Sequence, residues 1–187
     1  MFIEIPNYLK QEDIKFISDT FKKYTTNDPK NLMYNRMGKS VGFDDIKTYN
    51  TPDLQELDSR MFPIFYDIVK SIVIPNFEPE FEVEDSGVEY HWYKPGDICN
   101  PHIDGAAPIK DKNNSVLRFA TIILHLTTNT DGGEIVFPKQ DKKFKTEAGK
   151  LLVFPPHSYY PHYTTPSNQD REILMTWMVY RGLTVIK

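Results

Sequence analysis

Two residues with metal-binding side chains, His102 and Asp104, stand two positions apart in "NPHIDGAAP" (100–108). In an extended chain such side chains share a face, so an imidazole nitrogen and a carboxylate oxygen there can meet one small, hard-to-borderline cation. A His-x-Asp alone is ordinarily a turn bonded to its own backbone, and a metal site needs a third ligand. "FPPHSYYPHYTTPSNQDREILMTW" (154–177) offers His157 and His162 just before a strand-like run. Two histidines and one carboxylate make a facial triad suited to non-haem iron, with three coordination positions open for an organic cosubstrate and dioxygen.

Holding such a set requires rigid strands on either side, and the grammar of the chain turns to strands from Phe77 onward. "SGVEYHWYKPGD", "VLRFATIILHLT", "GGEIVFP", "KLLVFPP" and "EILMTWMVY" are short β-branched and aromatic runs divided by turn signals such as Pro95-Gly96 and Asp131-Gly132-Gly133. Their shortness and even spacing suggest a sandwich or barrel. Ahead of them, "QEDIKFISDTFKKY" (11–24) sets Ile14, Ile17, Ser18 and Phe21 at helical spacing, acids first and lysines last, as the helix dipole prefers. A second helix begins at Thr51, a plausible cap, with Pro52 in the first position. It carries Leu54, Leu57, Met61, Ile64, Phe65, Ile68 and Ile72 on one side, with a bend expected near Pro63. Between the helices, residues 25–50 lack a sustained period and read as a long loop with a short strand at most. With no repeat, low-complexity tract or linker, one domain is expected over 1–187: a helical front, 1–76, and a strand-built core, 77–187.

The whole chain narrows the partners. Its 187 residues can bury about two-thirds of the unfolded surface, so it should fold without structural metal, and any metal is functional. It is 40% hydrophobic and 13% aromatic with net charge −4, which offers no positive field to nucleic acid or an anionic membrane. No apolar run is long enough to span a bilayer. The single cysteine, Cys99, has no internal partner, and the start "MFIEIPNYLK" lacks the basic flank and apolar run of a secretory signal; a cytoplasmic location is expected. Asn113-Asn114-Ser115 reads as loop. The oligomeric state is left open.

Taken together, these stretches resemble the iron(II)- and 2-oxoglutarate-dependent dioxygenases, in the prolyl 4-hydroxylase-like branch, over about residues 88–180. "YKPGDICNPHID" is similar to the tyrosine and glycine turn before the family's His-x-Asp. "RFATIILHL" resembles its arginine-started strand, "GGEIVFP" its Gly-Gly-Glu turn, "AGKLLVF" the next strand, and "HYTTPSNQDREILMTW" the distal histidine with its basic partner. The resemblance implies a double-stranded β-helix (jelly-roll) barrel, mainly β, buttressed by the N-terminal helices. It implies His102, Asp104 and His162 as metal ligands and catalytic residues. His162 is preferred to His157 because Pro166 and Arg171 follow it as a proline and a cation follow the family's ligand; His157 is expected to be a solvated loop residue. Arg171 would hold the far carboxylate of the cosubstrate through its guanidinium fork. Tyr93 stands where the family's phenol donates to that cosubstrate. His125, seven after Arg118, stands where relatives carry a tyrosine; it departs from the pattern and reads equally as a core residue bonded to a neighbour. Thr176 and Trp177 alternate on the closing strand, and Thr176 is expected to face the pocket, a choice that one slip of register reverses.

The cofactors implied are iron(II), 2-oxoglutarate and dioxygen, with ascorbate as a further candidate. The reaction implied is decarboxylation of the cosubstrate to succinate coupled to hydroxylation of a substrate, with the protein supplying position and a dry cavity. A peptidyl proline is the favoured substrate, since a polyproline segment is already stiff and loses little entropy in a groove. A free amino acid or other small molecule is the alternative. A cupin-like metalloprotein that does not use 2-oxoglutarate and a catalytically idle binding module share the fold and stay open. Segment 25–50, with Met33, Tyr34, Arg36, Met37 and Phe43, is expected to close over a bound ligand as a lid.

Overall fold

The computed structural model describes residues 1–25, 38–108 and 114–186. In chain order the elements are β1 (Ile3–Ile5), α1 (Gln11–Tyr24), β2 (Lys39–Gly42), α2 (Phe43–Ile46), α3 (Pro52–Asp67) and α4 (Ile74–Phe77). The strands that follow are β3 (Val83–Asp85), β4 (Glu89–Tyr93), β5 (Ala106–Pro108), β6 (Asn114–His125), β7 (Ile135–Phe137), β8 (Lys142–Phe144), β9 (Leu151–Phe154), β10 (Tyr163–Thr164) and β11 (Arg171–Ile186). The large sheet runs β1-β9-β6-β11-β4-β2, with β3 paired to β11 and β5 to β6; the small sheet runs β10-β7-β8. All pairings are antiparallel. The two sheets form the double-stranded β-helix that the strand spacing and the family resemblance led to, buttressed by the helices.

The division at residue 76 does not hold for the sheet. The front half supplies both ends of the large sheet, β1 against β9 and β2 against β4. β2 is the short strand that segment 25–50 allowed, whereas β1, three residues long, is too short to register as a strand period.

Period-two alternation on the central strands divides the core. Leu174 and Met178 of β11 join Leu124, Leu151 and Val153 beneath Ile17, Phe21, Leu54 and Leu57 of the helices. Ile173, Met175 and Trp177 face the other way, with Ile123, Leu152, Phe154, Phe137 and Tyr93 lining the barrel. Helix α1 keeps the expected bounds, with Glu12 and Asp13 in its first turn and Lys22 and Lys23 in its last. Thr51 takes the cap position of α3, but its hydroxyl donates to the Asp53 carboxylate at 2.5 Å and caps no helical N–H. Pro63 lies inside α3, and the departure from α geometry comes later, in a π turn over Ile68–Val73. Among the described residues no helix is long and apolar enough to cross a membrane. Phe43, expected in the lid, is buried in the helix-side core with its ring edge-on to Phe21 at 6.3 Å. Met33, Tyr34, Arg36 and Met37 lie outside the described residues.

The helical layer is also fastened by charge. Glu172, buried on β11, accepts hydrogen bonds from Ser18 at 2.5 Å and Tyr90 at 3.0 Å and pairs with Lys22 at 2.6 Å. Glu172→Ala leaves two buried hydroxyls without their acceptor, whereas the Lys22 side chain, 36% exposed, can return to water. The expected loss is about 1–3 kcal/mol in urea denaturation, with the barrel site intact.

Candidate metal and cosubstrate site

His102 and His162 come from segments 60 residues apart in sequence and meet as an isolated antiparallel bridge. Each backbone N–H donates to the other's carbonyl, at 3.0 and 2.9 Å. The Gly-Gly turn helps to set the second segment. Gly132 has φ +74°, and a Cβ there would lie 1.8 Å from the Pro166 carbonyl oxygen, so only glycine lets this turn press against the chain between His162 and Arg171.

The two imidazoles are oriented alike. His102 Nδ1 lies 2.8 Å from the Asn100 carbonyl oxygen and His162 Nδ1 lies 3.2 Å from that of Tyr160, so each Nδ1–H donates to backbone and each Nε2 is turned toward the Asp104 carboxylate. Asp104 is 4% exposed and sits between them, Oδ1 3.4 Å from His102 Nε2 and Oδ2 3.8 Å from His162 Nε2. The candidate ligand atoms of the three residues lie within 4.8 Å of one another. Thr121 donates its hydroxyl to Asp104 Oδ2 at 2.8 Å, and Arg118 donates to the Asp104 carbonyl at 3.0 Å while stacking on the Trp177 ring at 3.6 Å. Phe137 and Phe154 wall the His162 ring at 5.1 and 5.0 Å. Burial opposes ionisation of Asp104, but the hydrogen bond from His102, the nearby imidazoles and the Thr121 hydroxyl outweigh it and hold the carboxyl below its usual range. Burial also opposes a charge on His102, yet Asp104 and Cys99 prevail and push it up to about 10. A cation entering here displaces that proton, so its uptake is pH-dependent.

Deeper in the barrel, Arg171 is 3% exposed; it pairs in register with Tyr93 and rests its guanidinium over that ring at 3.9 Å. Two residues on, Ile173 pairs with His91 on one side and His125 on the other. His125 is fully buried, and neither ring nitrogen has a hydrogen-bond partner among the described residues. Desolvation, then the charges of Arg171 and Lys150, lower it to about 3. An unfolded histidine takes its proton near pH 6.5, so between about 6.5 and 3 the unfolded chain binds more protons and stability falls on acidification. Above that window His125 is neutral in both states and contributes no pH dependence. His125→Phe is expected to flatten the stability–pH curve between about pH 6.5 and 4, before carboxylates dominate. Urea titrations of the metal-free protein check this, and an unchanged slope contradicts it.

The structure thus brings together His102, Asp104 and His162, and places Arg171, Tyr93 and His125 on the same barrel interior. His157 is exposed, its ring against Tyr160 at 5.1 Å, outside the cluster. Thr176 is a correction. It pairs with Ile122 on the helix-facing side, and Trp177 pairs with Thr121 and faces the site, because the register of β11 against β6 is one residue from that expected. Thr121 was not singled out from sequence, although it shares a face with His125 at a spacing of four. His91, buried and 2.8 Å from the Glu89 carboxylate, was likewise hidden in a strand run.

Residues 88–179, just under half of the chain, match the model of the 2OG-Fe(II) oxygenase superfamily. No curated protein matches the chain in sequence. Among solved structures it is similar to the viral collagen prolyl hydroxylase of Paramecium bursaria Chlorella virus-1 in its 2OG complex, at 17% identity over 96% of each chain with a TM-score of 0.71. It is also similar to a Pseudomonas putida prolyl-4-hydroxylase, at 19% identity, 97% of this chain and 93% of the other, TM-score 0.62. A Trichoplax adhaerens prolyl hydroxylase in complex with a hypoxia inducible factor peptide fragment matches at 18% identity, 96% and 83%, TM-score 0.62. At these identities the likeness is one of fold.

The superfamily implies iron(II), 2-oxoglutarate and dioxygen, and the donor set fits. Two imidazoles with Nε2 turned to a buried carboxylate suit iron(II), and a buried guanidinium near an imidazole with no hydrogen-bond partner among the described residues suits a dicarboxylate.

Proposed function

We propose that this chain is an iron(II)- and 2-oxoglutarate-dependent hydroxylase acting on a prolyl residue of a peptide or protein. The observation that carries the reading is the His102–Asp104–His162 cluster on the barrel interior that also buries Arg171. When bound, iron(II) and 2-oxoglutarate would supply the chemistry by which dioxygen, the oxidant, gives one oxygen atom to a C–H bond of the substrate and the other to the cosubstrate, which leaves as succinate and carbon dioxide.

The residues of the chain do the rest. His102 and His162 would hold the metal through Nε2 and Asp104 through its carboxylate, with Thr121 fixing the carboxylate rotamer. Arg171 would receive the far carboxylate of the cosubstrate as a two-pronged donor, braced by the Tyr93 ring. His125 would donate one ring N–H to that carboxylate, which relieves the desolvation of a buried imidazole that has no hydrogen-bond partner among the described residues. Phe137, Phe154 and Trp177 exclude water around these groups.

A prolyl substrate draws its support from the three similar structures, each named as a prolyl hydroxylase, one of them with a peptide bound. The test is a succinate-release screen with iron(II) and 2-oxoglutarate against proline-containing peptides, the same peptides with alanine for proline, and free amino acids. Release is expected with the proline peptides, matched by a gain of one oxygen on the peptide. Release with free amino acids alone would assign the site to a small-molecule hydroxylase.

A further inference from the structure

The two histidines of the cluster are held differently. His102 Nδ1 lies 2.8 Å from its carbonyl acceptor, whereas His162 Nδ1 lies 3.2 Å from the Tyr160 carbonyl, at the long end of the hydrogen-bond range. The His162 ring leans instead on aromatic walls, Phe137 at 5.1 Å with 32° between the planes and Phe154 edge-on at 5.0 Å and 74°. The direction of its Nε2 therefore depends on where Phe137 packs and where Tyr160 holds its carbonyl.

One side chain touches both of these residues. Phe2 sets its ring T-shaped against Phe137 at 4.7 Å and against Tyr160 at 5.4 Å, and tilted on Phe144 at 5.0 Å. Phe137, Phe144 and Tyr160 are buried, while Phe2 is partly buried and closes this aromatic box from outside. Strand β1 delivers it there. Pairing Ile3 with Val153 and Ile5 with Leu151 turns both isoleucines to the helix-side core and sends Phe2 to the opposite face of the sheet, the face of Phe154.

The segment leading into His162 is tied down just ahead of Tyr160. In the turn after β7, Lys139 Nζ donates to the Ser158 carbonyl at 3.1 Å and Gln140 Nε2 to that of Tyr159 at 2.6 Å. The next carbonyl, that of Tyr160, receives the His162 Nδ1–H, and the Tyr160 ring rests on Phe2.

We infer that Phe2 is a positioning residue for His162: through Phe137 and Tyr160 it fixes the plane of that imidazole and the direction of its Nε2. This rests on the reading of His102, Asp104 and His162 as metal ligands, and it gives the edge strand β1 a part in metal binding.

The experiment titrates cobalt(II) into the metal-free full chain and follows its visible d–d band, whose position and intensity report coordination geometry. The parent is compared with Phe2→Ala, Phe2→Leu and Ile3→Ala, and each metal-free form is also melted. Phe2→Ala is expected to weaken cobalt(II) about tenfold, the lower end of the loss for outer partners of metal ligands, and to alter the band. Phe2→Leu refills the box with apolar volume and is expected to recover most of the affinity. Ile3→Ala truncates the neighbouring residue on the opposite face; it is expected to lower the melting temperature and leave affinity and band in place. If Phe2→Ala does not fold, Phe2→Val, which suits a strand better, is read in its place with the same expectation.

An unchanged affinity and band in the Phe2 variant overturns the inference. So does an equal loss in Ile3→Ala, which would reduce the effect to the docking of β1. Cobalt(II) binding that is lost in His162→Ala but indifferent to Phe2 leaves the ligand assignment standing and removes Phe2 from it. A parent that binds no cobalt(II) overturns the ligand assignment itself, and the inference with it.

Discussion

Alanine in place of His102, Asp104 or His162 is expected to abolish succinate formation, each by more than about 10²-fold, since even outer partners of metal ligands cost 10–100-fold when removed. Two remaining donors cannot hold a divalent cation in a geometry with three open positions. His157→Ala is expected to leave turnover nearly intact, because that imidazole is exposed and outside the cluster. The metal-free His102→Ala and His162→Ala forms should melt close to the parent, since the barrel core is built from apolar strands and needs no metal to close, while Asp104→Ala should lose about 1–3 kcal/mol because the buried Thr121 hydroxyl is left without its acceptor. Iron titration and succinate release on the four variants check this. A dispensable His162 with an essential His157 would contradict the assignment.

Arg171→Ala is expected to raise the 2-oxoglutarate concentration required while leaving iron binding in place. By analogy with breaking a buried ion pair the loss is on the order of 3–5 kcal/mol, between about a hundredfold and several thousandfold in affinity. Arg171→Lys should recover part of this, restoring charge without the planar fork. The neighbouring His125→Phe should weaken the cosubstrate by less, about 1–3 kcal/mol, since it removes one neutral donor. Direct titration of 2-oxoglutarate in the presence of iron(II) reads all three. An unchanged titration for Arg171→Ala would remove that residue from the site.

What was legible in the sequence follows from the range over which each signal acts. The His102–Asp104 pair is local, two positions on one extended stretch, and helix α1 declared itself through Ile14, Ile17 and Phe21 at 3.6-residue spacing. The order of turns and strands was enough to bring His162 and Arg171 to the same barrel. Register was not legible. Thr176 and Trp177 are both compatible with an alternating strand, and the choice between them is made by the pairing of Trp177 with Thr121, a contact more than fifty residues away in sequence. For the same reason Thr121 went unnoticed: a threonine in a β-branched run carries no mark that its hydroxyl will meet a carboxylate. The strand β1 was hidden by brevity, whereas β2 is the short strand allowed for within 25–50; Phe43 was read as lid material because burial beneath Phe21 depends on how α1 packs.

The claim that His102, Asp104, His162 and Arg171 form one iron and 2-oxoglutarate site is tested most directly by anaerobic visible spectroscopy of the protein with iron(II) and 2-oxoglutarate together. The account predicts the weak visible charge-transfer band of the chelate, retained in His157→Ala, lost in His162→Ala, and shifted to much higher cosubstrate concentration in Arg171→Ala. No band in the parent protein under saturating iron(II) and 2-oxoglutarate, or a band that survives loss of His162, would contradict it.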